Sequence, residues 1–231
     1  PDDPAALDKV RALAGAGHVM RTLRSAKIAR VGEHPDGFET CIPHPDALNE
    51  IFGVEMVQVQ LDQVFASART ADESEVSALV DDLAGKLDAW EEMDPEAVSG
   101  TLGTYVTLRN MAQNDEIDGF AVRCWPQFFT EMGCAACGAL SLMNEDKIPC
   151  ACETDVNGAL TQMILQTLSG EPVFGTDVVS FDMEANTAVF WHCGKAPLSM
   201  ADPAVKPRAA LHSNRQKPLL MEFPLKPGRI T

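Results

Sequence analysis

The sequence predicts an α/β protein, a doubly wound parallel sheet domain followed by a β-rich portion of mixed or antiparallel strands. Three observations carry that expectation. Short apolar runs of strand character alternate with longer helical patterns up to about residue 147. In the centre, at 119–124 and again at 148–152, such a run is followed at once by polar residues and then by a helical pattern. After Asp155 and one more helix, the pattern changes to paired β-rich runs. The expected division is an α/β domain over 1–148 and the start of a β-rich domain over 149–231.

Taken in order, residues 5–24 read as a helix. Pro4 suits its first turn, and Leu7, Val10, Leu13 and Ala14 give helical spacing. Residues 27–32 are a short buried strand running into a Gly/Pro loop at 32–37. A short helix at 46–52, a strand at 54–59 and a helix at 61–68 follow. Residues 72–90 form a longer acidic helix. Asp94 is placed to cap the next helix, which runs towards Met111. The helix at 156–168 ends at Gly170. Residues 173–182 and 187–192 pair through a turn at 183–186. Residues 194–217, rich in Pro, Lys, Arg, Ser and Asn, read as loop, and 219–223 as a last strand.

The charge balance narrows the partners. Eighteen basic residues face 34 acidic ones, for a net charge of −16. Nucleic acids and anionic membrane surfaces both demand positive potential, so neither is an expected partner. No apolar run is long enough to span a bilayer, and the acidic start, Pro1-Asp2-Asp3-Pro4, is unlike a signal peptide. Several of the seven cysteines sit in apolar runs, which fits reduced thiols and a cytoplasmic protein. The missing initiator methionine and the final turn-then-strand pattern at 226–231 suggest a fragment of a longer chain.

Familiar motifs are weak or absent. Gly15-Ala-Gly17 lacks the third glycine and the preceding strand of a dinucleotide fingerprint. There is no G-x-S-x-G elbow, no P-loop and no H-E-x-x-H. Cys134-x-x-Cys137 with Cys150-x-Cys152 has the count of a four-thiolate site. Those cysteines lie in core-like apolar patterns, so the expectation is packing rather than metal. His18, His34, His44 and His212 read as surface histidines.

Strand ends carry the remaining chemistry, because sites in open α/β sheets form at the carboxyl ends of strands. Arg123, Trp125 and Glu131 follow the first central strand. Glu153, Thr154 and Asp155 follow the second, and His192 ends a later run. Two carboxylates and an imidazole with open positions suit Mn²⁺ or Mg²⁺ better than a closed structural zinc. Taken singly, Glu131 also reads as a helix first-turn acid, Asp155 as an N-cap and His192 as a core histidine.

The segments V-R-C-W-P-Q-F (122–128), T-E-M-G (130–133), C-A-C-E-T-D-V-N-G-A (150–159) and W-H-C-G-K-A-P (191–197) resemble the L-fucose/L-arabinose isomerase superfamily, closest to its fucose isomerase-like members. Glu131 and Asp155 stand 24 positions apart, the spacing of that family's metal-binding glutamate and aspartate. The resemblance implies a metal-dependent aldose–ketose isomerase that moves a proton through an enediol. Glu131, Asp155 and His192 would hold Mn²⁺ or another divalent cation such as Mg²⁺, and the two carboxylates would also act as acid and base. Arg123, Trp125 and Trp191 would line a monosaccharide site. It further implies a missing amino-terminal domain, a truncated carboxyl end, and a homo-oligomer (a trimer or hexamer) when full length. In that family a neighbouring subunit completes the active site, so the fragment alone would be inactive. The alternatives are a non-catalytic sugar-binding or regulatory relative and a cysteine-ligated metal protein. Free-thiol titration of the denatured, unreduced protein is expected to find seven thiols; a lower count would overturn the reduced reading.

Overall fold

The apolar runs of the first two thirds of the sequence pair into one parallel sheet. In the computed structural model, which describes residues 4–228, the chain opens with α1 (Pro4–Leu23) and β1 (Lys27–Val31). Next come α2 (Pro45–Phe52), β2 (Glu55–Val59), α3 (Leu61–Arg69), α4 (Glu73–Lys86) and α5 (Pro95–Asn114). β3 (Gly119–Val122), α6 (Gln127–Thr130), α7 (Cys137–Glu145), β4 (Cys150–Ala151) and α8 (Val156–Ser169) follow. The four strands are parallel, in the order β2-β1-β3-β4. Two antiparallel pairs come last. β5 (Asp177–Asp182) pairs with β6 (Thr187–Trp191), and β7 (Arg208–Ala210) with β8 (Leu220–Glu222). This is the α/β class expected from the sequence.

Alternation along the strands puts helices on both faces. Phe120 and Val122 of β3, with Ala29 and Val31 of β1, join a core with Phe65 of α3, Leu102 and Leu108 of α5 and Leu140 of α7. Their neighbours Ala121 and Ile28 point the other way, against Leu23 of α1 and Val156 and Leu160 of α8. A strand covered on both sides reads as a continuous apolar run, which is why F-A-V shows no polar alternation. Asp94 caps α5 as expected, accepting the Glu96 N–H at 3.0 Å, and Asp72 caps α4 through the N–H groups of Ser74 and Glu75.

Several expectations need correction. The acidic helix expected at 72–90 stops at Lys86, and Trp90–Glu92 is a separate short turn beyond left-handed Ala89. The helical pattern after β3 is two pieces, α6 and α7, parted by a turn with Gly133 at φ 69°. The segment expected as loop at 194–217 contains β7. The division expected at 148/149 falls between β3 and β4 of one sheet, since Phe120 pairs with Cys150 and Ala121 with Ala151. The α/β layer therefore runs through Ser169, and a separate domain after it stays a proposal. The final strand expected beyond Gly228 lies outside the described residues. No helix among the described residues is long and apolar enough to cross a membrane.

α5 is held closely against α3. A Cβ added at Gly103 would come within 2.3 Å of the Ala68 carbonyl oxygen, whereas one at Gly85, on exposed α4, meets nothing within 4 Å. Gly103→Ala is therefore expected to destabilise the protein by roughly 1–3 kcal/mol in urea melts. Gly85→Ala is expected to stabilise it by up to about 1 kcal/mol. Equal effects of the two would contradict this packing.

Candidate functional site

The polypeptide is strained where β4 ends. Glu153 and Thr154 both take positive φ, 52° and 56°, a conformation that disfavours side chains with a Cβ and clusters at functional sites. The Thr154 N–H is bonded to the Val122 carbonyl at 3.2 Å, and Asp155 N–H to that of Cys152 at 2.9 Å. These bonds pin the turn to the end of β3. The buried Oγ1 of Thr154 has no hydrogen-bond partner among the described residues, nor has Oε1 of buried Gln162 on α8.

This turn aims Glu153 at His192, which follows β6. Their Oε2 and Nε2 atoms are 3.7 Å apart, with the imidazole side chain 5% and the carboxylate 20% exposed. The other ring nitrogen, Nδ1, lies 3.5 Å from Cys193 Sγ. Burial raises the Glu153 pKa from its ordinary carboxylate value, and negative charge on the Cys152 sulfur nearby adds to the rise. Burial alone would lower that of His192. Cys152, Cys193 and Glu153 outweigh it and push the imidazole up to about 12. Lys195 is 4% exposed and forms no ion pair among the described residues. Burial opposes its charge, but Cys152 and Glu153 raise its pKa and keep it protonated. The site thus collects an acid that resists ionisation and two cations that resist discharge.

The six residues expected to form the site are only partly gathered. Among the described residues, ligand-type atoms come within 4.8 Å of one another in two groups, Cys137–Cys193–His212 and Cys124–Cys152–Glu153. Glu131, Asp155 and His192 form no such group. Glu131 sits exposed at the end of α6, where its carbonyl accepts from Arg69 at 3.0 Å. Asp155 caps α8, its Oδ1 accepting the Gly158 N–H at 2.8 Å. Metal–oxygen bonds of about 2.0–2.6 Å need ligand atoms within roughly 5 Å of one another, so the trio as arranged does not fit a Mn²⁺ or Mg²⁺ shell.

The residues expected against sugar are tied up differently. Arg123 donates to Gln127 and to the carbonyls of Glu33 and His34, at 2.8–3.0 Å, and so stitches the loop after β1 to the end of β3. Trp125 meets Phe38 edge-on at 5.8 Å and lies under the Arg215 guanidinium. Trp191, 52% exposed, borders a cavity of about 370 Å³ together with His192, Cys193, Leu220 and Glu222. Sequence reasoning named Glu153 only as a strand-end residue and passed over Lys195. The signal for Lys195 was a lysine set in the apolar, glycine-containing run C-G-K-A-P.

Comparison with known proteins adds the last finding. No family model matches the chain. Its likeness to curated proteins is to sugar isomerases. The chain is 32% identical over 233 residues to the sulfoquinovose isomerase of Priestia aryabhattai, covering 100% of this chain and 52% of that protein. It is 33% identical over 232 residues to that of Alkalicoccus urumqiensis and 31% over 228 to that of Clostridium sp. (strain MSTE9). The chain spans about half the length of the curated relatives it matches. These relatives carry the sugar-isomerase part of the resemblance drawn from the sequence, not fucose isomerase specifically.

The electrostatics set two thiols apart, Cys152 and Cys193; Cys152, lowered by hydrogen bonding from Cys124 and Cys137, is fully buried, whereas Cys193 is only partly so. Hydrogen bonding from Cys137, and then from His192 and His212, lowers the Cys193 pKa, whereas burial pushes Cys134 up to about 11. Thiolates are the reactive form. Cys193 is therefore expected to alkylate well before Cys134 in the folded protein at neutral pH, as read by peptide mass spectrometry. The reverse order would refute these assignments.

Proposed function

We propose that the full-length protein is an aldose–ketose isomerase of a free monosaccharide, and that sulfoquinovose is the first substrate to test. The observation that carries this reading is the identity of about one third along the whole chain to proteins named for that activity. The acid–base pair at the end of β4 supports it. Isomerisation through an enediol takes a proton from the carbon beside the carbonyl and returns one to the neighbouring carbon, with no net gain or loss. Glu153, partly buried and in a strained turn beside β4, is the group proposed to take and return that proton. Protonated His192 is proposed to donate to the oxygen where negative charge develops, with the buried positive charge of Lys195 adding to the field at Glu153.

Mn²⁺, or Mg²⁺, belongs to this proposal as the cofactor implied by the superfamily resemblance, with Glu131, Asp155 and His192 as ligands. Arg123, Trp125 and Trp191 stay with it as sugar contacts. A homo-oligomer also belongs to it. Because the three ligands are apart in this chain, no step is assigned to the ion.

Turnover of sulfoquinovose by the full-length protein tests the function, and its loss on chelation, restored by Mn²⁺, tests the cofactor. Glu153→Gln is expected to lower kcat by about 10²–10⁴ with the fold intact. Glu131→Gln and Asp155→Asn should abolish turnover if the metal shell forms. Near-normal rates in any of these variants would remove that carboxylate from the reaction. Since Glu153 must ionise to act as a base and its pKa is raised, activity should fall, as pH is lowered, at a pH above the value of a free carboxylate. An acid limb at the free carboxylate value would contradict that role.

A further inference from the structure

One cluster of ligand-type side chains borders the proposed acid–base pair through Cys193, 3.5 Å from His192 Nδ1, but supplies no group to the proposed proton transfer. We propose that Cys137, Cys193 and His212 form a binding site for a thiophilic divalent cation of the zinc type, with a fourth position open to water. The proposal stands on its own geometry, independently of the isomerase reading. Cys137 begins α7 and is 1% exposed, Cys193 lies two residues beyond β6, and His212 two residues beyond β7. Three separate elements converge there, and each supplies one donor atom, all within 4.8 Å of one another.

The distances match a tetrahedron. With zinc–sulfur bonds of about 2.3 Å, two thiolates on one tetrahedral ion stand about 3.8 Å apart. The Cys137 and Cys193 sulfurs are 3.7 Å apart. A thiol–thiol hydrogen bond has a similar length, so this distance alone would not separate the two. The imidazole at the third corner does, because a hydrogen-bonded thiol pair does not require it. A disulfide would need the sulfurs to close to about 2.05 Å, whereas the ion needs no such movement.

The ligand type and its surroundings agree. Two thiolates and an imidazole prefer zinc-like ions to the hard Mg²⁺ or Mn²⁺ of an oxygen shell. The His212 ring is held edge-on by Phe129, with ring centroids 5.0 Å apart. Its Nδ1 accepts a long 3.3 Å bond from the Asn214 N–H. Metal on Nε2 would place a proton on Nδ1 and release that N–H, which sits in an exposed turn and can bond to water. Cys193 borders the 370 Å³ cavity, which offers an ion a way in. This is not the four-cysteine arrangement suggested by sequence spacing. Of those four, only Cys137 takes part, and the Cys134 sulfur packs towards Gly100 of α5.

The test uses the full-length protein, kept reduced and stripped with a chelator. It is titrated with Zn²⁺ against a chromophoric competitor, and with Cd²⁺ while the ultraviolet thiolate-to-metal band is read. One tightly held ion with a thiolate band is expected. Cys137→Ser and His212→Gln should each weaken binding by roughly tenfold or more, and Cys134→Ser should leave it unchanged, with circular dichroism confirming each fold. If Cys137→Ser fails to fold, the half-exposed His212 decides through His212→Gln. Absence of the band in the unaltered protein, or undiminished binding in folded His212→Gln, overturns the proposal.

Discussion

The edge of the parallel sheet depends on a single amide. β4 is only two residues long, and its outer side meets no further strand among the described residues. Asn144, 1% exposed on α7, takes the place of one. Its Nδ2 donates to the Cys150 carbonyl at 3.1 Å, and its Oδ1 accepts the Cys150 N–H at 2.9 Å, as a neighbouring strand would. Gln162 of α8 donates to the same Oδ1 at 3.1 Å, tying both flanking helices to the strand. A buried backbone group left without such a partner costs about 1–3 kcal/mol. The turn at Glu153 and Thr154 begins three residues after Cys150, so the aim of the Glu153 carboxylate follows from where this amide holds Cys150.

Around that turn the molecule concentrates groups that other parts of its surface keep in water. Most of the acids that give the chain its charge of −16 are exposed, and solvent screens them. Glu153, His192 and Lys195 sit where screening is weak, so each is set mainly by its neighbours. The carboxylate is pushed towards its neutral form and the two bases towards their charged forms. Such opposed tuning within one pocket is what acid–base work requires, and it comes from burial at strand ends rather than from an unusual residue.

Much of the layer architecture was legible in the sequence, because periodicity reports faces. The uninterrupted F-A-V of β3 read as a strand, which the structure shows covered on both sides, and Asp94 marked a helix start through the N–H group it caps. The break between α6 and α7 was not legible, since Gly133 sits among residues that suit a helix. At the site, sequence placed Asp155 and His192 near strand ends but could not say which way each points. Asp155 turns to its own helix, and the carboxylate beside His192 is Glu153, two residues earlier. β7 was missed because its three residues sit among prolines and basic residues, and tertiary pairing with β8 makes them a strand.

The β5–β6 hairpin has a different character from the sheet. Every residue of both strands is exposed, including Phe181, Phe190 and Trp191. A two-stranded ribbon with no face covered is marginally stable in water. Opening free energies in such elements lie near zero, while those of a core strand approach the free energy of global unfolding. Amide protons of this ribbon would therefore be lost to deuterium early, and those of β1 and β3 late. His192 directly follows the ribbon's second strand, so the imidazole of the candidate site is carried at the end of an exposed ribbon, whereas its carboxylate partner follows a buried strand of the parallel sheet. The two halves of the candidate site therefore rest on elements of unequal expected stability.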